Sequence, residues 1–191
     1  MTNYNYDDTT ITTSTEDFEQ PDTGLVRAVC VFVNNIGTQK KEFEGRVKFN
    51  KQVVISFELE TKMKSGTYAG MPFMLSKFYT MSMLENASLR QHLEAWRGKG
   101  YTEEQLAKFD LKNIIGKSCM LNVMETKTGK RKIASIVSLP VGMEPLKPTQ
   151  TEPSPKFLEW INRLRSESVE AKKETQAEPH RVDNSSDDLP F

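Results

Sequence analysis

Val53-Val54-Ile55-Ser56-Phe57-Glu58-Leu59-Glu60 reads as a β-strand with two unlike faces. Val53, Ile55, Phe57 and Leu59 alternate with Val54, Ser56, Glu58 and Glu60, and a period of two puts these sets on opposite sides of the pleat. The first face is apolar and seeks a core; the second is expected to be wet. Just before it stands Arg46-Val47-Lys48-Phe49-Asn50-Lys51, basic with an aromatic inside. Further upstream, Leu25 to Val33 is an almost unbroken apolar run with β-branched residues, the pattern of a strand buried on both faces. Asn34-Asn35-Ile36-Gly37 then supplies turn chemistry. Residues 1–23 are rich in Thr, Asp, Asn and Glu with little apolar content, so disorder is expected there and structure near Gly24.

Ser65-Gly66-Thr67-Tyr68-Ala69-Gly70 reads as a loop, and Phe73 to Met83 as a third strand. In that strand Phe73, Leu75, Tyr79 and Met81 share one face with Lys77, leaving Phe78 on the more exposed side. Leu89, Leu93 and Trp96 follow at helical spacing, with Gly98 placed to end the helix. Thr102 and Gln105 form a capping box for a second short helix carrying Leu106 and Phe109. Lys117 to Met124 and Lys132 to Leu139 read as a hairpin, its turn in Glu125–Lys130, where Gly129 accepts a positive φ. Three strands, a helical insert and two strands is the order of the OB-fold, a five-stranded barrel that binds oligonucleotides. The expected fold is therefore all-β with a helical insert over residues 24–143, although other small barrels share the order.

After Gly142, Glu144 to Pro155 holds four prolines and reads as an extended linker. Ser154 caps a helix that has Pro155 at its first position. Phe157, Ile161 and Leu164 then share a face, with Leu158 and Trp160 beside them. This amphipathic helix, expected over 156–174, either docks on the barrel or meets a partner. Residues 175–191 read as a disordered acidic tail.

Several function classes lack their chemistry. Gly116-Lys117-Ser118 resembles the end of a P-loop, but Leu111 stands where that motif needs glycine. His92 and His180 are the only histidines, too few for a Cys/His metal set or a histidine-based triad. No enzyme, metal or cofactor is expected. Cys30 and Cys119 lie in apolar runs and read as buried thiols rather than a disulfide. There is no apolar run of membrane-spanning length. The N-terminus lacks the charge and apolar block of a secretory signal, so a cytoplasmic protein is expected, in a bacterial host if phage-encoded.

The formal net charge of zero conceals segregation. Lys plus Arg against Asp plus Glu is 0 against 6 over residues 1–23, 19 against 10 over 24–142, and 7 against 10 over 143–191. A basic body between acidic ends suits a polyanion. Capture of single strands needs cations along phosphates and aromatic faces for unpaired bases. Four segments combine or extend these residue types: Arg46, Lys48, Phe49 and Lys51; Lys77, Phe78 and Tyr79; Trp96, Arg97, Lys99 and Tyr101; and the hairpin-turn cations Lys127, Lys130, Arg131 and Lys132. Trp96 continues the Leu89/Leu93 stripe, so a core position competes with a stacking role.

The chain ends in Asp187-Asp188-Leu189-Pro190-Phe191, which joins an aromatic ring to the free carboxylate behind two acids. Such a tip can seat its ring in an apolar pocket while a basic residue pairs with the carboxylate. It resembles the tip of the bacterial single-stranded-DNA-binding proteins and their phage counterparts, which end in Asp-Asp-Ile-Pro-Phe or close variants. Here Leu189 stands for the usual Ile, and Ser185-Ser186 occupy positions where acids are common. The stretches Lys77-Phe78-Tyr79-Thr80-Met81-Ser82, Leu89 to Gly98, Phe109-Asp110-Leu111 and Gly116-Lys117 are also similar to small phage and prophage proteins encoded among replication and recombination genes. The resemblance implies an OB-fold that binds and protects single-stranded DNA during replication, recombination and repair, and a tip that recruits replication or recombination proteins. The N-terminal motifs of the bacterial housekeeping protein are not seen, so a monomer or dimer is expected rather than a tetramer. Two alternatives stay open: an adaptor or inhibitor that mimics the host tail, and a single-strand annealing protein.

Overall fold

The computed structural model describes residues 19–170. Five strands, β1 (Gly24–Phe43), β2 (Arg46–Lys62), β3 (Pro72–Thr80), β4 (Ser118–Glu125) and β5 (Arg131–Val137), form one antiparallel sheet in the order β3-β2-β1-β4-β5. Between β3 and β4 lie helices α1 (Ser88–Arg97) and α2 (Glu103–Ala107) and a 3-10 turn at Leu111–Ile114. A third helix, α3 (Pro155–Ser166), follows the sheet.

The fold is all-β with a helical insert, and the sheet curls without closing. Its edges β3 and β5 lie against one another, but no ladder joins them. Instead the Lys77 ammonium donates to the Ile133 carbonyl across the seam at 2.6 Å.

The apolar face of β2 behaves as its alternation predicts. Val53, Ile55, Phe57 and Leu59 are each at most 1% exposed and join Leu121, Ile136, Leu89 and Leu93 in the main core. Each fully buried side chain of this size contributes about 1.5–3 kcal/mol. Trp96 closes that core: its ring lies 5.6 Å from Phe57 and its indole N–H donates to the Ser118 carbonyl at 2.8 Å. Cys30 and Cys119 are buried free thiols. Burial pushes the Cys30 thiol up to about 12, so it behaves as a small hydrophobe.

Two local expectations give way. Asn34–Gly37 is no turn: β1 runs through it, with a register shift between Asn35 and Thr38 and Gly37 at φ 74°. Ile36 is buried there, and burying it favours a bulge over a reversal. The hairpin turns later, at Glu44 and Gly45, both left-handed (φ 49° and 71°), which lets the strands pair with their native twist. The third strand is shorter than expected, ending at Thr80.

Over Val53–Glu60, the second face of β2 is wet only at Glu60. Val54, Ser56 and Glu58 are all buried, because the proline-rich segment and α3 lie over them. The Glu58 carboxylate accepts from the Thr149 N–H and hydroxyl and from the Gln150 N–H at 2.8–3.0 Å. Leu146 exchanges hydrogen bonds with the Ser118 hydroxyl. Residues 144–155 thus act as a strap rather than a free leash. The Ser154 hydroxyl caps α3, which packs Ile161 onto Ile36 and Val54, with Phe157, Trp160 and Leu164 around it. The helix stops at Ser166; the chain bends at Glu167–Ser168 and residues 169–170 are helical, while the rest of the expected 156–174 helix lies outside the described residues.

Candidate nucleic-acid interface

Among the described residues, the largest concentration of unpaired cations is an arm built from the ends of β1 and β2. Thr38–Phe43 pairs with Arg46–Lys51. The ribbon carries Lys40, Lys41, Arg46, Lys48 and Lys51 against Glu42 and Glu44. Residues opposite each other in an antiparallel ladder share a face. Register therefore sets Lys40 beside Phe49 and Lys41 beside Lys48. A like-charge pair directly across a ladder is unfavourable, and an anion laid over it relieves the repulsion. Among the described residues none of these five cations forms an ion pair. Phe49 is 58% exposed, an aromatic face held in solvent on a regularly paired ribbon.

A second basic element is the β4–β5 turn. The Thr126 N–H donates to the Lys130 carbonyl, and Gly129 takes φ 77°, which holds Lys127, Lys130 and Lys132 outward and exposed. Arg131 differs. Its guanidinium pairs with Glu125 and donates to the Pro21 carbonyl, while Gln20 brackets its backbone. It is a clamp for the incoming chain, and its charge is already used.

The remaining sequence-derived candidates are dispersed. Tyr79 is buried, its hydroxyl 2.9 Å from His92 Nδ1, and burial raises the phenol well above its usual pKa. Lys77 is spent on the β3–β5 seam, where burial and then Lys132 lower its pKa. Phe78 lies on the exposed face, as its alternation predicts, but meets Trp160 of α3 edge-on at 5.9 Å. Trp96 is core. Arg97 stacks on Tyr101 at 4.7 Å and donates to Gln105 and the Gly100 carbonyl. That pair lines a cleft of about 810 Å³ together with Phe109, Lys108 and Lys117. Lys99 is exposed beside it. The tip, Asp187 to Phe191, lies outside the described residues.

Comparisons with protein-family models, curated proteins and solved structures find no significant match to this chain. Sequence reading missed Lys40 and Lys41, whose partnership with Phe49 and Lys48 depends on the hairpin register. A turn at Glu44-Gly45 was the available signal. It also missed Phe32, whose ring lies 5.2 Å from Phe157 under α3. Among the described residues no helix is long and apolar enough to cross a membrane.

Proposed function

We propose that this protein binds single-stranded DNA without sequence preference and without catalysis, as an OB-type fold whose β1–β2 arm and β4–β5 turn are its nucleic-acid-facing loops. The observation that carries the reading is the arm: five cations with no ion-pair partner among the described residues, and an exposed phenylalanine on a paired two-stranded ribbon. Cations that track phosphates, and a ring that stacks on any base, are what sequence-blind capture requires. The tip Asp187-Asp188-Leu189-Pro190-Phe191 serves recruitment of replication and recombination proteins.

Titration of labelled oligo-dT over a range of salt tests this. Binding should weaken with salt at a slope of about −0.7 per neutralised phosphate. Replacing Lys40, Lys41, Arg46 and Lys48 together by Ala should lower affinity and flatten the slope by about 3, if each neutralises one phosphate. An arm variant that binds like the parent removes the arm from the site. A parent chain that does not bind at all favours the protein-binding adaptor.

A further inference from the structure

The sheet face beneath α3 carries two rings that the helix covers in part. Phe32 packs on Phe157, and Phe78 on Trp160. The cluster holding the helix there, Ile36, Val54 and Ile161 with their neighbours, is separate from the main core. Lifting α3 would therefore leave the interior of the sheet packed. The strap stays behind on the Glu58 carboxylate at Thr149 and Gln150. Thr151-Glu152-Pro153, between that anchor and the Ser154 cap, is a natural hinge.

Beyond the Leu164 side chain, which belongs to that apolar cluster, the far end of the helix is fastened by polar contacts to the base of the basic arm. Arg165 donates to the Asn35 carbonyl at 3.0 Å, and Gln39 donates to the Leu164 carbonyl at 3.0 Å. The Glu170 carboxylate accepts from the Thr38 N–H at 2.9 Å and from its hydroxyl at 2.5 Å. Glu170, Lys51 and Arg165 line one cavity of about 340 Å³. An anion thus already sits on donors at the arm's base, beside one of its lysines. Gly37 makes the fit close: a Cβ there would stand 2.8 Å from Ser168 Cβ.

We propose that α3 is a displaceable cover, in which a phosphate of the incoming strand replaces the Glu170 carboxylate at Thr38 and Lys51. The helix then swings on its strap, and bases stack on Phe32 and Phe78. This rests on the single-strand-binding reading and adds a closed state to it.

Two experiments test the cover. In the unmodified full chain, saturating oligo-dT should reduce amide-exchange protection over Pro155–Ser166 while protection in the arm rises. Ile161→Asp, which undocks the helix, should raise oligo-dT affinity about tenfold, roughly what one added stacked base supplies. Phe78→Ala should cancel that gain in the Ile161→Asp background and have little effect alone. Unchanged or increased protection of α3 on DNA overturns the cover, as does Ile161→Asp binding no better than the parent. In both cases the parent's own binding leaves the function reading standing. If neither chain binds, both readings fall together. The exchange measurement decides the matter should Ile161→Asp fail to fold.

Discussion

Phe49 stands in the β1–β2 arm with Lys40 across the ladder and little covering its ring. Surface substitutions away from special contacts shift stability by no more than about 0.5 kcal/mol, whereas a stacked base is worth about 1–3 kcal/mol. Phe49→Ala should therefore weaken oligo-dT binding about tenfold with an unchanged melting temperature. A variant that melts earlier while binding normally would make Phe49 a structural residue. Glu170 offers a second residue-scale test. The Thr38 hydroxyl, then the Thr38 N–H, then other contacts ending with Lys51, hold its carboxyl at about 2 instead of the ordinary 4.5. A depressed carboxyl pKa means that the contact is fully present above the ordinary value and is lost as pH falls through the depressed one. The Thr38–Glu170 link should survive mild acid and open only as pH 2 is approached, with a carbon-detected titration of Glu170 centred near that value. A midpoint near 4.5 would show that the link is not made.

At the scale of elements, the strap shows how a buried acid is tolerated. Glu58 is 1% exposed yet accepts from the Thr149 N–H and hydroxyl and from the Gln150 N–H. Glu58→Ala would leave those donors facing an apolar gap. Unsatisfied buried groups cost about 1–3 kcal/mol each, so a loss of about 2–4 kcal/mol is expected in urea unfolding at constant m-value. A loss under about 0.5 kcal/mol would mean that water serves the strap equally well. The same strand marks the limit of sequence reading. Alternation in Val53–Glu60 separates its faces but does not say what covers the second, and Glu58 has the composition of a wet face. Its partners lie far downstream, where four prolines resemble a linker. Asn34–Gly37 has turn composition, and only the packing of Ile36 on Val54 and Ile161 makes it a bulge. Phe78 was legible as outward-facing, but not its cover by Trp160. The capping box at Thr102 and Gln105 and the turn at Gly129 are local, and the structure holds both as the residues imply.

Across the whole molecule, charge is sorted by segment: the body over 24–142 carries 19 cations against 10 acids, and residues 143–191 carry 7 against 10. Deleting residues 183–191 removes Asp183, Asp187 and Asp188 without removing a described contact. If the acidic end competes for the basic surface, the deletion raises single-strand affinity, and it does so most at low salt. The Debye length is about 30 Å at 0.01 M and about 10 Å at 0.1 M, so the advantage should shrink as salt rises over that range. If the tip recruits partners as proposed, recruitment should respond in the opposite sense, because the Phe191 ring and the aspartates Asp187 and Asp188 leave together. Oligo-dT titrations of the parent and truncated chains at two salt concentrations, alongside pull-down of replication proteins on bound DNA, read the two effects separately. Weaker DNA binding by the truncated chain at both salts would place the tail inside the DNA site and overturn the division of labour between a basic body and a recruiting end.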